Sequence, residues 1–164
     1  MTKIIISSLE AAEQAYKLHQ PGYVISILDC DDCAPASFAG LDEAHHMKLD
    51  GNDDDEITWC PKIIDFAKDW AQSGEDVLIH CHRGVARSTA IAYILMCVRD
   101  SNECECKIAE QLRSMAPHAD PNLRLVSEAD RMLGRDDRMV CAVLDLCPCC
   151  GSVCAPIVTL PLEG

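Results

Sequence analysis

The stretch Val77-Leu78-Ile79-His80-Cys81-His82-Arg83-Gly84-Val85-Ala86-Arg87-Ser88-Thr89 constrains this chain more than any other. An apolar run leads into one cysteine, an arginine follows after five intervening residues, two hydroxyls come next, and Ala90 to Val98 is again apolar. That order predicts a strand, a tight loop and the first turn of a helix. Backbone N–H groups of a short loop that opens a helix converge on a concave anion site. The Arg87 fork completes the match to a tetrahedral oxyanion. Amides and a guanidinium around a thiol favour its thiolate form, the nucleophile. The stretch therefore reads as a phosphate pocket with Cys81 in its floor. An ordinary strand–turn–helix with an inert cysteine is the plainer alternative, and it leaves the coincidence of cysteine, glycine, arginine and hydroxyl unexplained.

Charge narrows what such a pocket serves. The 164 residues fit one ordinary domain, and 49% hydrophobic with 25% charged residues is a globular balance. The net charge of −13 repels polyanions over long range, which argues against nucleic acid or an acidic membrane surface as partner. Arg83, Arg87 and His82 then form a local positive spot in a negative field, suited to a small phosphate group. The first nine residues lack the long apolar core of a signal peptide, and 90–98 is too short to span a bilayer. A cytoplasmic location is the expectation. Twelve cysteines in a reducing compartment then read as reactive thiols, a metal site or small core residues.

Periodicity and turn residues predict strands over 3–7, 23–28 and 46–49 and the central strand from Val77. Helices are predicted over 9–19 (capped by Ser8), 59–72, 107–115 and 121–133, the last with Pro121 in its first turn. Residues 139–146 read as either helix or strand. The tail 147–164, with its cysteines and prolines, is expected to hold little regular structure. These elements make an α/β fold with a central, mostly parallel sheet of four or five strands flanked by helices. Residues 1–146 read as one domain and 147–164 as a cysteine-rich C-terminal tail.

His80-Cys81, five residues, then Arg87-Ser88 resembles the signature of the cysteine-based protein tyrosine phosphatases. Asn52-Asp53, Ile64-Asp65-Phe66-Ala67, Val77-Leu78-Ile79-His80 and Pro121-Asn122 look like the compact dual-specificity branch. The block from Leu112-Arg113 through Pro117, Ala119, Pro121-Asn122 and Asp130 to Arg138 is more similar still to small bacterial members. The resemblance covers roughly residues 3–145 and leaves the tail aside. It implies a phosphomonoester hydrolase with a phosphocysteine intermediate on Cys81 and Arg87 on the equatorial oxygens. The substrate would be a phosphorylated protein or a small phosphomonoester, and no cofactor is required. His82, Arg83, Gly84, Val85, Ala86 and Ser88 would line the phosphate site, with His80 behind the loop. The general acid would be Asp53, with Asp50 and Asp54 in reserve. The same chemistry on a phosphoinositide, nucleotide or RNA 5′ end is an alternative, as is a module that binds phosphate without turnover.

Two cysteine groups remain. Cys30 and Cys33 end a strand expected beside the central one, either as plain loop thiols or as redox partners of Cys81. Cys147, Cys149, Cys150 and Cys154 are close enough in sequence to be zinc candidates, although the usual well-separated pairs are missing.

Overall fold

The computed structural model describes residues 1–51, 56–146 and 155–162. In chain order the elements are β1 (Lys3–Ser8), α1 (Leu9–His19), β2 (Tyr23–Leu28), a 3-10 turn (Ala36–Phe38), β3 (His46–Asp50), a second 3-10 turn (Glu56–Trp59) and α2 (Cys60–Ser73). Then come β4 (Val77–Cys81), α3 (Arg87–Arg99), α4 (Glu105–Met115), α5 (Leu123–Leu133), α6 (Arg138–Leu144) and β5 (Val158–Pro161).

The five strands form one sheet in the order β3-β2-β4-β1-β5. β1, β2, β3 and β4 pair in parallel, and β5 runs antiparallel to β1. A parallel sheet needs cover on both faces, which is why its strands read as near-continuous apolar runs. Alternation along each strand divides the core. Ile4, Ile6, Val77, Ile79 and Cys81 join the larger cluster with α2 to α6, while Ile5, Val24 and Leu78 pack against Ala12 and Ala15 of α1 and against Phe38. Cys81 thus faces the thick helical side and His80 the α1 side.

Local signals explain the element ends. Ser8 closes β1 and caps α1, its hydroxyl accepting from the Ala11 amide at 3.3 Å. Gly74 and Gly134, both left-handed, end α2 and α5. α3 is buried on every side from Ser88 to Cys97, so it shows almost no polar face.

Two expectations need correction, and one open alternative resolves. The tail is not without regular structure, because Val158–Pro161 completes the sheet edge with Ile4 opposite Leu160. Pro121 is not in the first turn of α5; Asn122 follows it as the N-cap, its Oδ1 accepting from the amides of Arg124 at 3.0 Å and Leu125 at 3.2 Å. The ambiguous stretch near 139 is a helix, α6, whose first amides at Met139 and Val140 donate to the buried Asp130 carboxylate. No helix among the described residues is long and apolar enough to cross a membrane.

Candidate active site

The loop from Cys81 to Arg87 joins the end of β4 to the start of α3. Cys81 is 2% exposed, so its sulfur is reached only through the loop. The Gly84 amide donates to Cys81 Sγ at 3.2 Å, and Sγ lies 3.3 Å from the buried Ser88 hydroxyl in a hydrogen bond. Gly84 has a positive φ of 73°, and a Cβ there would stand 2.8 Å from the backbone of Ser7 and Ser8. Only glycine lets the loop press against the end of β1 while aiming its amide at the sulfur.

Three other segments hold the loop. The Asp120 amide donates to the Val85 carbonyl at 3.0 Å and the Asn122 amide to the Ala86 carbonyl at 3.2 Å. Thr89 Oγ1 donates back to the Val85 and Ala86 carbonyls. On the other side, the Ala155 amide donates to the Arg83 carbonyl at 2.9 Å and the Leu9 amide to the His82 carbonyl at 3.3 Å. The side chains of His82 and Arg83 are exposed at the mouth.

Arg87 points toward the ends of β2 and β3. Its Nη1 donates to Asp29 Oδ1 at 2.8 Å and to the Gly51 carbonyl at 3.2 Å, and its Nη2 to Asp29 Oδ2 at 3.3 Å. The guanidinium holds the Asp29 carboxyl below the usual carboxylate range. Sequence reasoning singled out only Cys30 and Cys33 in the loop after β2 and missed this role of Asp29. The available signal was its place at a strand's C-terminal end, where α/β folds gather functional side chains.

Behind the loop, His80 is fully buried. Its Nε2 meets the Ser26 hydroxyl at 2.7 Å, and His46 Nε2 meets the same hydroxyl at 2.9 Å. Desolvation pushes the His80 pKa down to about 4 and also lowers that of His46, so both imidazoles are neutral at ordinary pH.

Asp53 and Asp54, two of the three acid candidates, lie outside the described residues, as do Cys147, Cys149, Cys150 and Cys154. Asp50 ends β3, one residue before the Gly51 that meets Arg87. An open pocket of about 520 Å³ lined by Leu28, Asp29, Cys30, Lys48, Leu49 and Asp50 lies at this edge. Donor atoms of Asp29, Asp32 and His82 lie within 4.8 Å of one another, but a cation there would compete with Arg87 for Asp29. Cys30 and Cys33 are exposed in the loop after β2. Two other thiols are core residues: burial pushes Cys60 up to about 11 and Cys97 to about 12.

The mostly parallel sheet, with Cys81 at the end of its central strand and Arg87 opening the buried helix α3, has the fold of solved phosphatase and phosphatase-like structures. Solved structures of that fold match most of the chain. The human tyrosine phosphatase-like serine/threonine/tyrosine-interacting protein superposes with a TM-score of 0.61 at 17% identity, covering 81% of this chain and 92% of its own. The PTP-2 phosphatase of Cydia pomonella gives 0.60 at 20% identity, with coverages of 78% and 84%. PTPMT1 gives 0.59 at 14% identity, with coverages of 80% and 90%. In sequence, the dual specificity protein phosphatase 12 of Mus musculus is 32% identical over 89 residues, which are 54% of this chain and 26% of that protein. The chain thus spans about a quarter of the length of the curated relatives it matches. No protein-family model matches it.

Proposed function

We propose that this chain is a phosphomonoester hydrolase that works through a phosphocysteine on Cys81, with a phosphorylated protein as substrate. The observation that carries this is the converged geometry at the sulfur: Cys81 Sγ receives the Gly84 amide, sits against Ser88, and lies in the loop that Arg87 closes. In the first step Cys81 sulfur bonds to phosphorus and the ester oxygen leaves, taking a proton from a carboxylic acid. Loop amides and Arg87 hold the equatorial oxygens as charge redistributes. In the second step the same carboxylate takes a proton from water, whose oxygen bonds to phosphorus. Cys81 sulfur leaves with its charge eased by the Ser88 hydroxyl.

The acid comes from the end of β3 or the segment after it. Asp53 is the first candidate by resemblance, with Asp54 beside it. Asp50 is favoured by its position one residue from the Gly51–Arg87 contact. Turnover of an aryl phosphate tests the whole reading. Wild-type protein should release phosphate and accumulate a trappable phosphocysteine. Cys81→Ser should lower kcat by at least roughly a thousandfold, as expected when a nucleophile is removed. Comparable turnover by Cys81→Ser would sink the mechanism, and an inactive wild type that still binds phosphate would leave a recognition module.

A second reading is a non-protein phosphate. Its support is that PTPMT1, which shares this fold, has been solved with PI(5)P. The net charge of −13 weighs against a polyanionic headgroup, so phosphotyrosine and phosphoserine peptides should outcompete phosphoinositides in a substrate panel.

A further inference from the structure

The grip on Arg87 is built from two strand ends. The loop after β2 closes a tight turn in which the Asp32 amide donates to the Asp29 carbonyl at 2.9 Å, while the Asp29 amide donates to Asp32 Oδ2 at 3.1 Å. That reciprocal pair fixes the Asp29 backbone at the mouth of the site, and Asp32 in turn stands 3.6 Å from His82 Nδ1. From the adjacent strand end, the Gly51 amide donates to the Leu28 carbonyl at 2.7 Å, extending the β2–β3 pairing by one residue. The Gly51 carbonyl is thereby placed on Arg87 Nη1. The fit is close. A Cβ on Gly51 would stand 2.2 Å from Asp29 Oδ1, 2.7 Å from Arg87 Nη1 and 3.0 Å from the Leu28 carbonyl.

We propose that Asp29 is the positioning residue of this site, holding the Arg87 guanidinium by its Nη end, with the Gly51 carbonyl, so that its Nε side meets the phosphate. The inference rests on the phosphatase reading above and adds a residue to it. A two-point carboxylate–guanidinium pair fixes the plane of the guanidinium as well as its distance. A single-point contact would leave the long arginine side chain to search rotamers each time an oxyanion arrives. Since Arg87 opens α3 at its base and its tip is gripped by Asp29, the residue that follows β2, both ends of the side chain are held. Charge also matters. Asp29 offsets part of the guanidinium charge while the pocket waits for substrate.

The test uses the full chain with Asp29→Ala, Asp29→Asn and Gly51→Ala, and with exposed Asp31→Ala as a charge-matched control. Steady-state turnover of an aryl phosphate and calorimetric binding of inorganic tungstate are the readouts. Asp29→Ala should lose roughly a hundredfold in kcat/KM, the scale of a misplaced reacting geometry. Tungstate binding should weaken in parallel, and Asp29→Asn should fall between Ala and wild type. Gly51→Ala should reproduce the loss without removing any charge, and Asp31→Ala should match wild type. In an Arg87→Ala background, Asp29→Ala should cost less than about twofold, because partners in one interaction are not additive. An unchanged kcat/KM in Asp29→Ala, or an equal loss with Arg87 present and absent, overturns the proposal.

The grip itself is read independently of activity in the arginine guanidinium nitrogen spectrum. A slowly rotating Nη pair, assigned by its absence in Arg87→Lys, should vanish in Asp29→Ala, and its persistence overturns the proposal. A wild type that neither turns over aryl phosphate nor binds tungstate overturns the phosphatase reading and, with it, a positioning role for Asp29. The nitrogen spectrum then reports only whether the pair exists.

Discussion

His80 sits one residue before Cys81, yet it faces the opposite side of the sheet. It packs beside Phe38 at 5.8 Å between ring centroids and shares the Ser26 hydroxyl with His46. One serine hydroxyl donates to a single acceptor, so one imidazole accepts from Ser26, and must be neutral to do so, while the other donates to it. Burial holds the His80 pKa at about 4, against about 6.5 in an unfolded chain. Between those values the unfolded chain binds the proton and the folded one does not, so stability falls as pH drops. The contribution is complete above about 6.5 and reaches its full loss, about 3 kcal/mol, near pH 4. Urea unfolding at pH 7 and at pH 4.5 should show this slope, and His80→Asn should flatten it. A slope unchanged in His80→Asn would assign it to His46 and His118, whose pKa values burial also lowers. At the residue scale the Cys81–Arg87 loop was legible because its chemistry is contiguous in sequence. The Asp29 grip was not, because Asp29, Gly51 and Arg87 meet only through the register of β2, β3 and β4. Asp53 was singled out from an acidic run by resemblance, through its place after Asn52, with Asp50 and Asp54 in reserve.

The edge strand β5 shows what element-level reading misses. Four residues among prolines, shortly after a cysteine cluster, carry too little alternation to stand out from a loop. Its role becomes visible only in the sheet, where Val158, Leu160 and Leu162 close the large core beside Ile4 and Ile6. Leu160 is fully buried, whereas Thr159 is partly exposed. Leu160→Ala should therefore cost about 2–5 kcal/mol in chemical denaturation, and Thr159→Ala no more than about 0.5 kcal/mol. Equal, small effects would mean that β5 adds nothing to the sheet. The other elements were readable for local reasons. β1, β2 and β4 are short apolar runs bounded by polar or glycine-containing turns, and α1, α2 and α5 carry caps at their ends. α6 was ambiguous because seven residues are too few to separate the two periodicities.

At the scale of the molecule, the charge of −13 surrounds a small basic site, with Arg83 and Arg87 contributed by one loop. On the proposed function, a dianionic aryl phosphate approaches against the long-range field and is bound by the local one. Salt screens the first more than the second, since a Debye length of about 10 Å at 0.1 M exceeds the contact distances in the pocket. On the phosphatase reading, KM for an aryl phosphate should fall by about twofold between low and moderate salt. A KM that climbs with salt would show that Arg83 and Arg87 dominate at long range too.

The placement of β1 has a consequence for how the site comes into being. Positions 3–8 are clasped on one side by 77–81 and on the other by 158–161. Both closures bridge distant parts of the polypeptide, and the entropy of closing them is lost before the contacts return any energy. Helices such as α2 and α5 form from neighbours and need not wait. The loop around Cys81 does wait, because Gly84 is shaped against the backbone of Ser7 and Ser8 at the end of β1. A nascent chain that already holds the whole Cys81–Arg87 sequence therefore shapes the loop around Cys81 only when β1 has been captured.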